Sequence, residues 1–337
     1  MKKRYWIAGA SGLAGVAVAA KLLRRPRDVE WAEHAGEFTH AGHSRFINID
    51  GARVHYQEAG PKDAPAIMLI HGFTAFNLVW SEVFLPIAAA GFRVVAPDLL
   101  GHGFSEKPAN GEYTIESQAR MILRLMDELG IERAAFVGNS YGAAIASVCA
   151  LDYAERVERL VLVDAVINDE PKNQAMLRVA RAPLLGDIVS PLLLDSRWII
   201  RRRLKKIHSE FAHLLFDEKR LQARHIPLRA SSTQRAVLRT LRRWKAERIE
   251  REAHNITQPT LIIWGEDDTD TPLRSGRHLK RVIPNARLII FRRCGHLPQE
   301  EYPKEFTELV TNFCRTKDVE TEAARDDELL AASAVES

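Results

Sequence analysis

Cysteine is scarce, with three in 337 residues. Cys149, Cys294 and Cys314 form no Cys-x-x-Cys and no Cys/His cluster, so neither a disulfide framework nor a zinc site is signalled. One-sided charge is missing too: 48 Lys and Arg against 44 Asp and Glu leave +4, too little to make nucleic acid the default partner. No internal repeat is visible, and no nucleotide, flavin or metal-ligand spacing occurs, so no cofactor and no metal is expected. What remains, 46% hydrophobic and 27% charged residues, is ordinary globular composition and excludes disorder as the dominant state.

Long apolar runs are absent but for one. Tyr5 to Ala20 is uncharged, with Lys2, Lys3 and Arg4 before it and Lys21, Arg24, Arg25 and Arg27 after it. As a helix it would span about 24 Å, a little short of a bilayer's hydrocarbon core unless Lys21 snorkels and adds Leu22 and Leu23. A retained membrane anchor over 1–27 is the favoured expectation. The rival is a cleaved export signal, since Ala17-Val18-Ala19 makes an A-x-A site. Basic residues on both flanks leave the orientation undecided.

The small net charge hides a partition. Residues 1–27 carry seven basic and no acidic side chains, 28–165 carry ten and nineteen, and 166–256 carry twenty and ten. The tail, 317–337, is acidic and poor in aromatics, which predicts disorder.

From Arg45 onward the pattern alternates strand and helix, as in a mainly parallel sheet covered on both faces. RFINID and RVHYQEA flank Asp50-Gly51, a hairpin signal. Short apolar runs at 66–70, 93–96, 134–138, 159–164, 260–264 and 287–291 read as buried strands. Helical periodicity falls near 78–90, 114–129, 141–155, 272–282 and 303–314. The stretch 166–256 lacks a comparable strand and is rich in Leu and Arg, which predicts an inserted helical cap between core segments 45–165 and 257–316.

After the strand AAFV comes Gly138-Asn139-Ser140-Tyr141-Gly142, a G-x-S-x-G opening a helix. Glycines there permit a sharp turn that raises the Ser140 hydroxyl above the sheet, beside a helix N-terminus. A serine hydroxyl needs a base, and the base an acid that fixes its tautomer. Later strand ends offer both: Asp268 in WGEDDTDTP (264–272) and His296 in CGHLPQEEYP (294–303).

With HGF (71–73), PDLLGHGFSEKP (97–108) and GNSYG, these motifs resemble the α/β-hydrolase superfamily from about Arg45 to Arg315. The resemblance implies an α/β-hydrolase fold with a helical cap and a triad in the chain order Ser140, Asp268, His296. It also implies an oxyanion hole from the backbone N–H groups of Phe73 and Tyr141, whose side chains are then free to line an acyl pocket. Asp164 is a second conceivable acid, because some members place it there. Asp267 and Asp270 are read as solvated turn residues, His71 as a shaper of its loop and His102 as structural. In the cap, Leu184, Leu185, Ile188, Leu192, Leu193, Leu194, Trp198 and Ile199 are candidates for lining the pocket.

Serine at 140 argues against epoxide or carbon–halogen chemistry, for which relatives use aspartate. Leu297 stands where serine members that cleave carbon–carbon bonds commonly place Trp. The favoured expectation is a serine esterase or lipase acting on lipid or acylglycerol esters at a membrane surface, where the basic cap would meet anionic lipid. The alternatives are a soluble or exported small-molecule carboxylesterase, a carbon–carbon bond hydrolase, and a non-catalytic scaffold of the same fold. Oligomeric state is not legible.

Overall fold

The computed structural model describes residues 26–171, 175–209 and 217–315. The expected N-terminal anchor or signal, but for residues 26 and 27, and the expected disordered tail lie outside these residues. Among the described residues no helix is long and apolar enough to cross a membrane.

The described residues begin with short helical turns between Trp31 and His43. The chain then forms β1 (Ser44–Ile49), β2 (Ala52–Ala59), β3 (Ala66–Ile70), α1 (Ser81–Ala89), β4 (Arg93–Pro97), α2 (Ile115–Glu128), β5 (Ala134–Asn139), α3 (Tyr141–Asp152) and β6 (Val157–Val163). Among the described residues six helices follow: α4 (Ala175–Arg181), α5 (Leu185–Leu194), α6 (Arg197–Ile207), α7 (Glu218–Leu228), α8 (Ser231–Arg243) and α9 (Glu247–Glu252). The chain then returns to the sheet through β7 (Thr260–Gly265), α10 (Leu273–Val282), β8 (Ala286–Phe291), α11 (Pro298–Glu301) and α12 (Pro303–Arg315).

The eight strands lie in the order β1-β2-β4-β3-β5-β6-β7-β8. The β1–β2 hairpin turns at Asp50 and Gly51, both at positive φ, and pairs antiparallel with β4. Every later pairing is parallel. Period-two alternation sorts the core: Ile67 and Leu69 of β3 face α1 and α12, whereas Met68 and Ile70 face α2 and α3. Each such fully buried aliphatic side chain contributes about 1.5–3 kcal/mol. Helix α2 starts from a reciprocal cap between Thr114 and Ser117, which satisfies N–H groups that a helix start leaves unpaired.

β3 and β5 are neighbours, yet the chain leaves β3 towards β4 and leaves β5 towards β6. Loops at such a switch point diverge and open a crevice at the carboxyl ends of the strands. Residues 72–73 and 140–141 border that crevice, and the helices between β6 and β7 cover it.

Candidate active site

Ser140 stands between β5 and α3 with φ 56° and ψ −116°, a strained conformation for any residue with a Cβ. Neighbouring backbone holds it there. Its N–H donates to the Val163 carbonyl at 2.8 Å, and its own carbonyl accepts from Val166 N–H at 3.2 Å. The flanking glycines are demanded by contact: a Cβ on Gly138 would lie 2.4 Å from the Gly142 carbonyl oxygen, and one on Gly142 2.1 Å from that of Ile70.

The turn after β7 brings Asp268 to His296. His296 Nδ1 donates to Asp268 Oδ2 at 2.8 Å, Thr271 Oγ1 donates to the same oxygen at 2.5 Å, and Asp270 N–H donates to Oδ1 at 2.7 Å. Burial would raise the Asp268 pKa, but the His296 charge and these donors hold it below the usual carboxylate value. Burial would likewise depress His296, yet Asp268, by charge and hydrogen bond, keeps the imidazole more basic than an ordinary histidine. The histidine loop is clamped from two sides: His296 N–H donates to Ile207 O at the end of α6 at 2.6 Å, and Asn139 Nδ2 donates to His296 O at 3.2 Å.

Ser140 and His296 line one cavity of about 180 Å³. No hydrogen bond joins the hydroxyl to the imidazole; in substrate-free sites such bonds are often long and tighten on binding. A Cβ on Gly72 would lie 3.1 Å from that of Ser140, so the Gly72–Phe73 backbone passes directly beside the hydroxyl. Tyr141 N–H belongs to the first turn of α3, where helices leave N–H groups unpaired. Neither it nor Phe73 N–H donates to a described acceptor.

Asp164 is brought close but not into the same role. It is fully buried at the end of β6, with Oδ1 accepting from Gly265 N–H at 2.9 Å and Oδ2 left without a hydrogen-bond donor. Ligand atoms of Asp164, Asp268 and His296 lie within 4.8 Å of one another, the one grouping among the described residues close enough to chelate a metal. The Asp268–His296 hydrogen bond already occupies atoms a cation would need. Burial, and then the Asp268 charge, push the Asp164 carboxyl well above the usual carboxylate range. His71 is neutral and structural, its pKa lowered by burial, with Nδ1 donating to Gly72 O and Nε2 accepting from Leu99 N–H. His102 is pushed down by burial to about 3.

Three sequence expectations need correction. Asp267 is exposed as expected, but Asp270 is ion-paired with Arg203 of α6 and lines the cavity. Phe73 lines the cavity, whereas the Tyr141 side chain is fully buried against Trp244 at 5.0 Å between ring centroids. Of the eight apolar candidates in 184–199, Leu193, Leu194 and Ile199 line the cavity. Leu184, Leu185, Ile188 and Trp198 point into solvent, and Leu192 is not among the lining residues.

Other partners escaped sequence reading. His55 and Asp98, both with fully buried side chains, pair at 2.8 Å, and Asp98 also accepts from Asn77 N–H and Phe104 N–H, which fixes the loop after β4. Arg224 of α7 is ion-paired with Glu300 of α11, and His208 Nε2 lies 3.3 Å from that carboxylate. Arg224, ahead of His208, drives the Glu300 pKa down to about 2 against the effect of burial. No spacing rule links positions so far apart; only the basic excess of 166–256 hinted at such pairs.

Residues 65–303 match the model of a family described as alpha/beta hydrolase fold. An uncharacterized protein of Mycobacterium tuberculosis is 31% identical over 281 residues, 81% of this chain and 81% of its own. The 2-hydroxy-6-oxononadienedioate/2-hydroxy-6-oxononatrienedioate hydrolase of Cupriavidus pinatubonensis is 30% identical over 283 residues, 82% of this chain and 96% of its own. The structure of a meta-cleavage product hydrolase from Pseudomonas fluorescens aligns with TM-score 0.67 and 26% identity over 80% of this chain and 96% of that one.

Proposed function

This chain belongs to the alpha/beta hydrolase family, and on that hydrolase scaffold we propose that Ser140, His296 and Asp268 cleave carboxylic esters with an apolar acyl group. His296 Nε2 takes the proton of the Ser140 hydroxyl as its oxygen attacks the ester carbonyl. The oxyanion that forms is stabilised by the N–H groups of Phe73 and Tyr141, a contribution of several kcal/mol. His296 then protonates the departing alcohol, and water, deprotonated by the same imidazole, releases the acid from Ser140. Asp268 keeps Nδ1 protonated and steadies the imidazolium.

The observation that carries the ester reading is the cavity wall. Apolar side chains such as Phe76, Val166, Leu193, Leu238 and Leu241 dominate it, and its two arginines are already neutralised, Arg203 by Asp270 and Arg224 by Glu300. A carboxylate-bearing substrate finds no unpaired cation there, and burying it without one is costly. A second reading, hydrolysis of a carbon–carbon bond in a ring-fission product, is favoured by the 30% identity to the Cupriavidus hydrolase. Leu297, part of the same wall, stands where many such enzymes carry Trp.

Fluorophosphonate labelling of wild type and Ser140→Ala, with turnover of p-nitrophenyl esters of graded length and of a 2-hydroxy-6-oxo-dienoate, separates the readings. We expect labelling lost in the variant, ester turnover rising from acetyl to medium-length acyl groups, and little dienoate cleavage. Dienoate cleavage with negligible ester turnover would replace the ester reading with the second.

A further inference from the structure

Among the described residues, every large apolar side chain left exposed falls between 176 and 198: Met176, Val179, Leu184, Leu185, Ile188 and Trp198, the last two-thirds exposed at 67% and Leu184 at 82%. Scattered singly over a surface such residues need no explanation, but these are gathered on three successive helices, α4 packing on α5 and α5 on α6, and such a grouping marks an interaction site. Helix α6 shows how that grouping relates to the cavity. Ile199, Ile200, Arg203, Leu204 and Ile207 line the cavity, while Trp198, Arg202 and Lys205 recur at the spacing of one helix face on the other side. Arg202 lies over the Trp198 ring at 5.6 Å. A second hollow, of about 750 Å³, borders both faces, sharing Met176, Ile199, Arg203 and Asp270 with the cavity over Ser140 and adding Arg202 and Lys206.

Charge selects the occupant. Arg197 and Arg201 are paired with Glu218, and Arg203 with Asp270. Arg178, Arg202, Lys205 and Lys206 form no ion pair with a described residue, so the apolar patch carries a basic rim. The chain leading out of the described residues meets a helix that packs on these: the carbonyls of Pro26 and Arg27 accept from Ser231 N–H and Ser232 N–H at the start of α8, and α8 packs on α4 and α5. In the sequence, the basic-flanked apolar run Tyr5–Ala20 lies just before that point. We propose that the outer face of α4–α6 docks on a lipid bilayer bearing anionic head groups, with the apolar side chains among the acyl chains and the basic rim at the head groups. The hollow beside Met176 then opens towards the bilayer. Docking does not depend on which bond Ser140 cleaves.

The test uses the full chain carrying an environment-sensitive fluorophore at Leu184→Cys, with Lys62→Cys, before β3 at the opposite end of the sheet, as control. Cys149 and Cys294 are buried, and labelled wild type supplies the background. Phosphatidylcholine–phosphatidylglycerol vesicles should brighten and blue-shift the Leu184→Cys probe severalfold, phosphatidylcholine alone should do so less, and the Lys62→Cys probe should not respond. Adding Arg178→Gln and Lys205→Gln should raise the lipid concentration for half response roughly 30-fold at low salt, at about 1 kcal/mol per charge. A silent Leu184→Cys probe on chain that floats with vesicles, or a response that depends on protein concentration without lipid, would overturn the proposal. The first outcome leaves attachment to another segment, and the second assigns the face to a second copy. Turnover of a soluble ester, measured on the same samples, reports separately on the proposed chemistry.

Discussion

The turn around Ser140 and the helices above it are built on opposite principles. Below, geometry is set by backbone against backbone: Gly138 and Gly142 touch neighbouring carbonyls, and Ser140 is strained but tied down. Above, α6 is joined to the turn after β7 and α7 to α11 by charged side chains, Arg203 to Asp270 and Arg224 to Glu300. A rigid floor suits a reaction that needs fixed donors around a developing charge. A roof held by ion pairs can change its lining while the floor stays intact.

The sharpest break in that contrast is chemical. Ser140→Ala and His296→Ala should each lower kcat for p-nitrophenyl esters by about 10⁵–10⁶, with the double variant little worse, because the residues act as one unit. Asp268→Asn should cost roughly 10⁴, since the wrong tautomer faces Ser140. Ser140→Ala should unfold at nearly the wild-type urea concentration. An additive double variant would show that Ser140 and His296 do not share a reaction step.

Damage to the roof should read out as stability. Arg224→Met leaves Glu300 buried and unpaired and should cost about 3–5 kcal/mol in urea unfolding, much of it recovered by adding Glu300→Leu. The pH dependence follows from the sign. The folded Glu300 pKa, about 2, lies below its unfolded value of about 4.3, so its contribution is complete above the unfolded value and declines as pH falls towards about 2. That contribution is on the order of 3 kcal/mol. Arg224→Met should flatten this acid-side decline. Equal sensitivity to acid in wild type and variant would mean that the pair does not fasten the roof.

The same contrast explains what could be read from the sequence. Sheet strands, the Asp50-Gly51 hairpin and the G-x-S-x-G turn are local: period-two alternation and glycine between a strand and a helix reveal them directly. The helical character of 175–252 was legible from the missing strands. Its inner and outer faces were not, because a leucine on a basic helix has no sequence mark for cavity or solvent. Leu193 and Leu184 were indistinguishable on that basis, yet one lines the cavity and the other is exposed. Asp270 was misread for the same reason, its partner Arg203 being 67 residues away.

Asp164 is the floor's own exception, a site residue whose state only the assembled structure discloses. Two buried carboxylates this close cannot both ionise, and Asp268 has the better claim to the charge, with His296 and three donors from residues 270 and 271 around it. Asp164, buried beside that charge and with Oδ2 lacking any donor, is the carboxyl of the two that is pushed towards its neutral, protonated form. Asparagine preserves both its neutrality and a hydrogen-bond donor. Asp164→Asn should accordingly keep kcat/KM for a soluble ester within roughly threefold, well under 1 kcal/mol of barrier. The acid limb of the pH profile is the finer measure. It reports the free His296, whose pKa lies above the ordinary histidine value, so turnover falls as pH drops through that value and the imidazole loses its role as base. With a neutral Asp164 the limb stays in place in the variant. An ionised Asp164 would have been helping to raise His296, and its removal would move the limb to lower pH, which would reverse the assignment of charge between the two carboxylates.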